Sequence, residues 1–229
     1  MPRYLILDTE TTGLGPDAKI VDLAWIEVDE AMKVIDRFET LVDPEIPISP
    51  GASAKHGIVA EDVADAPTIE EVFSVLLSDP IEDVCLCGHN CQFDFRYVRP
   101  YLGITSQLCT LRAARRYFPK AENHKLETLK YVLGLRRDQT AHRAMGDVEV
   151  TYELLEKIFE VSGLDLPGLV EEMGKPVLVD SLPFGKYKGV SLMKCPGGYL
   201  RWLKESTDLD PDLKVSVELV WEKRFGRRQ

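Results

Sequence analysis

Apolar and polar positions along the chain predict strands first, then strands and helices in turn. Three β-prone segments come early, at 4–7, 20–28 and 33–42, and the last two form a predicted hairpin. Two further buried strands are predicted at 84–87 and 104–109. Together these segments predict an α/β fold in which a mixed five-stranded sheet is flanked by helices.

Helical periodicity marks the segments between and after these strands. Three prolines first impose a predicted extended segment over 44–58. Helices are then predicted to open at Thr68, near Gln92 and at Arg112. Two more are predicted around Leu129 and over 144–160.

The same pattern predicts two domains. The first covers 1–163, and a connecting segment with a short helix follows over 164–181. The remainder, 182–229, is a predicted small C-terminal accessory module with a turn at 184–189 and two helices. Asp210 and Pro211 have the residue types expected at the cap and first position of the last helix.

Composition indicates a soluble globular chain. Hydrophobic residues make up 45% of its 229 residues, charged residues make up 29%, and no apolar run is long enough for a membrane span. The N-terminus leads straight into a strand without an export signal. Five cysteines in such a chain are expected to be reduced thiols, which favours a cytoplasmic location and no membrane partner.

Charge is unevenly distributed. The net charge of −10 argues against a nucleic acid as partner, but residues 1–100 carry 20 acidic and 7 basic groups, whereas 111–143 carry three and nine. An acidic region that binds metal beside a basic one can hold a polyanion. The alternative is a set of solvated basic helix faces.

Candidate chemistry begins with Asp8 and Glu10, which lie on one face of the first strand because side chains alternate. Two neighbouring carboxylates repel each other unless a cation lies between them, and oxygen ligands suit Mg²⁺ or Mn²⁺. The alternative is a polar strand end in which one acid caps a turn. Asp94 after the fourth strand, and His142 and Asp147 at the start of the long helix, are the expected partners. Singly, these three could be a helix cap, a turn residue and a surface acid.

Three motifs resemble those of the DEDDh (DnaQ-like) family of 3′→5′ exonucleases. They are Asp8-Thr9-Glu10, the segment 89–94 that ends in Asp94, and the segment from His142 to Asp147. The resemblance implies a ribonuclease-H-like fold and hydrolysis that releases nucleoside 5′-monophosphates. It also implies that the four acids hold two Mg²⁺ ions, which Mn²⁺ can replace, and that His142 is the general base.

The resemblance also implies contacts with the terminal nucleotides. The residues concerned are Thr11, Gly13, Leu14, His56, Asn90 and Phe93. Alternatives remain open, since Leu14 and Phe93 could belong to the core and His56 could only hold its loop.

The likeness extends into the tail, where Phe184, Tyr187, Tyr199 and Trp202 alternate with basic residues as in a DNA-degrading member of the family. DNA with single-stranded or duplex 3′ ends is therefore the expected substrate, in DNA repair or end processing. RNA is the alternative substrate, and a non-catalytic nucleic-acid-binding protein is the alternative class. The tail rings could stack on bases or pack a small core.

Overall fold

Two compact units make up the protein, Met1–Glu172 and Met173–Gln229. The computed structural model describes residues 2–76, 82–135, 143–207 and 209–226. Among these residues, no helix combines the length and the apolar character needed to cross a bilayer.

The first unit is organised around one mixed sheet of five strands. The strands are β1 (Arg3–Thr11), β2 (Ile20–Val28), β3 (Val34–Leu41), β4 (Val84–Gly88) and β5 (Ile104–Cys109). Their order in the sheet is β3-β2-β1-β4-β5, with β2 antiparallel to both β1 and β3 and with β4 parallel to both β1 and β5. The predicted five-stranded sheet is confirmed, and its central strand β1 continues beyond the predicted apolar residues through both acids.

Helices cover both faces of this sheet. They are α1 (Pro50–His56), α2 (Ala60–Val63), α3 (Ile69–Leu76), α4 (Gln92–Val98), α5 (Thr110–Tyr117), α6 (Leu126–Val132), α7 (Ala144–Ser162) and α8 (Leu166–Met173). One core cluster joins Leu5 and Leu7 of β1 to Val72 of α3 and Val98 of α4. The long helix α7 contacts β1 and β2, and also α5 and α6. Leu5 and Leu7 thus face α3 and α4, and the even-numbered residues of β1 lie on the opposite face.

The prediction of an extended segment over 44–58 is wrong from Pro50 to His56, where α1 forms. The Ser49 side chain accepts a hydrogen bond from the Ala52 N–H at 3.2 Å and caps the helix. Pro50 fits the first helical turn because the N–H that it lacks has no partner within the helix there. Gly57 ends the helix with φ of +77°.

The second unit has its own small core. It contains a 3₁₀ turn at Leu192–Lys194, α9 (Gly197–Glu205) and α10 (Pro211–Phe225). Leu192, Leu200, Leu203 and Val217 pack together in this core. Asp210 caps α10 by accepting from the N–H groups of Asp212 and Leu213, as the sequence predicts.

Candidate active site

Three predicted acids meet where β1 lies beside the start of α7. Asp8 and Glu10 are even-numbered residues of β1 and lie on the opposite face from Leu5 and Leu7. Asp147 is in the first turn of α7. One carboxylate oxygen from each of Asp8, Glu10 and Asp147 lies within 4.8 Å of the other two, so this group can hold a divalent cation.

Asp94 approaches from the α4 side of β1. Because β1 pairs with β4 only from Arg3 to Ile6, the N–H of Thr9 lies beyond the paired register. Asp94 Oδ1 accepts hydrogen bonds from this N–H at 3.0 Å and from the Thr9 hydroxyl at 2.7 Å. Thr9, an odd-numbered residue, therefore fixes the fourth acid while its two neighbours in the chain face the other way.

Burial and, after it, the charges of neighbouring acids raise the pKa values of Asp8 and Asp94. Burial raises the pKa of Asp8 well above its usual range, and the charges of Asp94, Asp147 and Glu10 raise it further. Burial also raises the pKa of Asp94 to about 7, although the hydrogen bonds from Thr9 act against this rise. The surroundings of Asp8 and Asp94 thus disfavour their charged forms, and a bound cation would favour them.

Two residues that support the site were not found from the sequence. Asp22 of β2 lies opposite Glu10 and accepts from Arg143 Nε at 2.8 Å and from the Ala144 N–H at 3.3 Å. It thereby holds the start of α7, three residues before Asp147. A signal was present in the sequence, since Asp22 and Glu27 are the two acids of a strand whose other residues are apolar.

Lys55 is the second such residue. Its Nζ lies 3.4 Å from Glu10 Oε2, and its charge lowers the pKa of Asp8. The ammonium group therefore offsets part of the repulsion among the acids. Sequence reasoning missed it because the segment was predicted to be extended, and the direction of a side chain on α1 could not be read from that prediction.

The predicted general base, His142, lies outside the described residues. Among the predicted substrate contacts, the Thr11 hydroxyl donates to the Gly13 carbonyl at 2.7 Å and shapes the turn after β1. Leu14 follows in this turn with 83% of its surface exposed, which excludes the core alternative. Its contact with a base stays a prediction.

His56 holds its loop. Its Nδ1 accepts from the Ile58 N–H at 3.1 Å, so Nε2 carries the proton and donates to the Thr11 carbonyl at 3.2 Å. Burial lowers the pKa of His56, which favours this neutral form. The ring thus ties α1 to the end of β1, and its contact with a nucleotide stays a prediction.

Asn90 and Phe93 lie between β4 and Asp94. Asn90 is exposed and has φ of +69°, a left-handed conformation that turns the chain into α4. The Phe93 ring is half-buried, and the Arg96 guanidinium lies 4.7 Å from its centre. Both residues precede Asp94 in the chain by at most four positions, and their contact with a substrate stays a prediction.

A mixed sheet of this order, with acids gathered beside its central strand, defines a class of phosphodiester-cleaving enzymes. Comparison with known proteins agrees. Residues 5–155 match a family model described as an exonuclease. The chain belongs to this exonuclease family, which confirms both the predicted resemblance and the predicted enzyme class.

Two comparisons extend over most of the chain. Exodeoxyribonuclease 10 of Escherichia coli (strain K12) is 34% identical over 220 residues, which cover 93% of this chain and 96% of the relative. A solved structure of Exonuclease X in complex with 5′ overhanging duplex DNA has a TM-score of 0.60 and 31% identity, and covers 75% of this chain and 98% of that chain.

A third comparison concerns the fold alone. A structure of Exonuclease I has a TM-score of 0.61 at 22% identity, and covers 76% of this chain and 43% of that chain. The ribonuclease-H-like fold is thereby confirmed. Residues 171–221 match a second family model, one described in terms of quorum-sensing-regulated virulence factors.

Proposed function

We propose that the chain is a metal-dependent 3′→5′ exodeoxyribonuclease that releases nucleoside 5′-monophosphates from single-stranded or duplex 3′ ends of DNA, in cytoplasmic DNA repair or end processing. The observation that carries this proposal is the meeting of Asp8, Glu10 and Asp147 oxygens within 4.8 Å. DNA is supported by the name of the relative Exodeoxyribonuclease 10 and by the duplex DNA in the Exonuclease X complex.

The donor set fits Mg²⁺, with Mn²⁺ as a substitute, because carboxylate oxygens are the ligands that these hard cations prefer. Asp8, Glu10, Asp94 and Asp147 would hold two ions. When bound, the ions supply positive charge that makes water more acidic and neutralises charge on the leaving 3′ oxygen. The raised pKa of Asp8 supports this assignment, since burial and the charges of the neighbouring acids raise it and a bound cation would offset both.

The chain's own residues would do the remaining work. His142 would accept the proton of the attacking water, since an imidazole with a pKa near ~6.5 suits proton transfer at neutral pH. Thr11, Gly13 and Leu14 would contact the terminal nucleotide beside the acids. Thr9 would keep Asp94 in place through its two hydrogen bonds.

A time course with 3′-labelled oligonucleotides tests this proposal. We expect label to appear as mononucleotide from single-stranded and duplex DNA when Mg²⁺ is present, and none to appear in EDTA. Asp147→Ala should lower the rate by about 10³-fold or more, because a charged ligand is lost. Circular dichroism of this variant should match the wild type.

Three results would overturn the proposal. Release of label in EDTA would show that hydrolysis does not depend on a metal ion. Full activity of a folded Asp147→Ala variant would show that the gathered acids are not the active site. Faster degradation of a matched RNA oligomer than of the DNA oligomer would show that RNA is the preferred substrate.

A further inference from the structure

Three aromatic rings form a row on the surface of the second unit. The ring centres of Tyr187 and Tyr199 are 4.8 Å apart, and those of Tyr199 and Trp202 are 5.3 Å apart. We call Tyr187, Tyr199 and Trp202 the aromatic row. It begins in the turn at 184–189 and continues onto α9.

The inner part of the aromatic row is fixed. Tyr187 and Tyr199 are partly buried against the core cluster of this unit. Gly185 has φ of +73°, and a Cβ at this position would lie 2.7 Å from the Tyr199 hydroxyl oxygen. The turn therefore lies directly against the Tyr199 hydroxyl, and packing against the core restricts both tyrosines.

Trp202 is the outer member of the row. Its side chain is 55% exposed on α9, although tryptophan is the largest apolar residue and is usually well covered. The indole thus packs beside Tyr199 while more than half of the residue surface is open to solvent. Exposed aromatic rings are the stacking platforms on which proteins bind the bases of single-stranded nucleic acids.

Cations lie next to members of the aromatic row in the chain, and Lys186 Nζ lies 5.7 Å from the centre of the Tyr187 ring. Lys186 and Lys188 are exposed in the turn that carries Tyr187, and Arg201 is exposed next to Trp202 in the chain. The whole unit carries 11 basic and 7 acidic residues, net +4, whereas the first unit carries 17 and 31, net −14. Positive charge beside a stacking surface matches the alternation of phosphates and bases along a strand.

We propose that the aromatic row and the lysines beside it form a binding surface for single-stranded nucleic acid, separate from the candidate active site. A base stacks on Trp202, and Lys186 and Lys188 contact phosphates. The assignment of DNA as the strand rests on the proposed function, but the surface itself does not. An acidic protein surface would also be attracted to the cations, but it would gain little from an exposed indole.

Binding of the full chain to 5′-labelled oligo-dT of about 30 nucleotides, followed by fluorescence anisotropy in EDTA, tests this surface. Trp202→Ala should weaken binding about fivefold or more, since a stacked base is lost. Trp202→Phe keeps a π-face and should stay within about twofold. Leu219→Ala is the matched control, because Leu219 is an exposed apolar residue of α10 that lies two residues from the buried Val217.

Salt dependence tests the lysines. The slope of log affinity against log salt should fall by about 1.4 in Lys186→Ser/Lys188→Ser, because each lost phosphate contact on a single strand removes about 0.7. Equal affinities of Trp202→Ala and Leu219→Ala would overturn the proposal. If poly-glutamate competed as strongly as oligo-dT and Trp202→Ala had no effect, the ligand of this surface would be an acidic protein and not a nucleic acid strand.

Failure of this surface can be told apart from failure of the proposed function. At saturating DNA and Mg²⁺, Trp202→Ala should release mononucleotide at the wild-type maximal rate, while its KM on long strands rises. A chain that binds oligo-dT through Trp202 but hydrolyses no DNA would keep the surface and overturn the enzyme assignment.

Discussion

The two units of this protein bury carboxyl groups under opposite conditions. Asp94 of the first unit accepts hydrogen bonds from Thr9, yet its pKa is raised to about 7 because it is buried beside other acids. Asp212 of the second unit is also buried and, like Asp94 in α4, lies in the first turn of a helix, α10, where it accepts from the Val177 N–H at 3.0 Å. The difference is that the charge of Glu10 adds to burial in raising the pKa of Asp94. A helix N-terminus favours negative charge.

The difference between the surroundings of Asp94 and Asp212 separates acids that stabilise the fold from acids that bind a ligand. Asp212 stabilises the second unit as it stands, because its charge meets a helix dipole and a backbone donor. The gathered acids of the first unit cost stability until a cation neutralises them. A buried carboxylate whose environment disfavours its charge is therefore a better indicator of function than a buried carboxylate as such.

The largest expected effect is a loss of hydrolysis rate, and it tests whether the acids of the first unit serve catalysis. His142→Ala should slow nucleotide release by roughly 10² to 10⁴, since the general base is lost while the acids remain. The effect should be the same for short and long strands, because it concerns the chemical step. Single-turnover rates at saturating DNA measure it, and a loss below about tenfold would exclude this role.

A smaller effect concerns the stability of the first unit. Asp94→Asn keeps an oxygen that can accept from Thr9, and it should stabilise the metal-free protein by about 2 to 4 kcal/mol at pH 8. The sign follows from a folded-state pKa near 7, above the ordinary 3.8. The wild-type carboxyl adds stability below about pH 4 and loses it as pH rises towards 7, so the gain should vanish at low pH.

Urea unfolding from pH 4 to pH 8 measures this difference. Addition of Mg²⁺ should reverse the order of the two proteins, because the wild type then gains a ligand that the variant holds less well. A constant difference at all pH values would show that the substitution acts through packing instead of charge.

The smallest expected effect is a decrease in the free energy of unfolding, opposite in sign to the effect of Asp94→Asn. Asp212→Asn should destabilise the protein by about 1 kcal/mol, because the charge at the helix N-terminus is lost. Urea unfolding with and without Mg²⁺ should give the same value, since this residue belongs to the second unit. If this substitution stabilised the protein, the conclusion that Asp212 serves the fold while Asp94 serves a ligand would be wrong.

Sequence reasoning found the acids because their signals are local. Alternation along β1 places Asp8 and Glu10 together, and the first turn of α7 supplies Asp147. Thr9, Asp22 and Lys55 were missed because their roles depend on contacts between elements that lie far apart in the chain. Thr9 contacts Asp94 because β1 continues beyond its pairing with β4. The register of this pairing cannot be predicted from a local sequence pattern.

The misplaced segment at 44–58 has a similar cause. Its prolines predict extended chain, yet Pro50 also fits the first turn of a helix when a side chain such as Ser49 caps it. Two local rules compete there, and the tertiary position of α1 over the site decides between them. The assignment of functions to the two units stays a prediction.

The spacing of the acids has a consequence for the growing polypeptide. The acids that we propose as metal ligands lie at positions 8, 10, 94 and 147, so a polypeptide that ends before α7 would carry an incomplete set. We therefore expect hydrolytic activity only after residue 147 has been synthesised and folding has brought the acids together. Fragments that end before α7 should leave DNA intact.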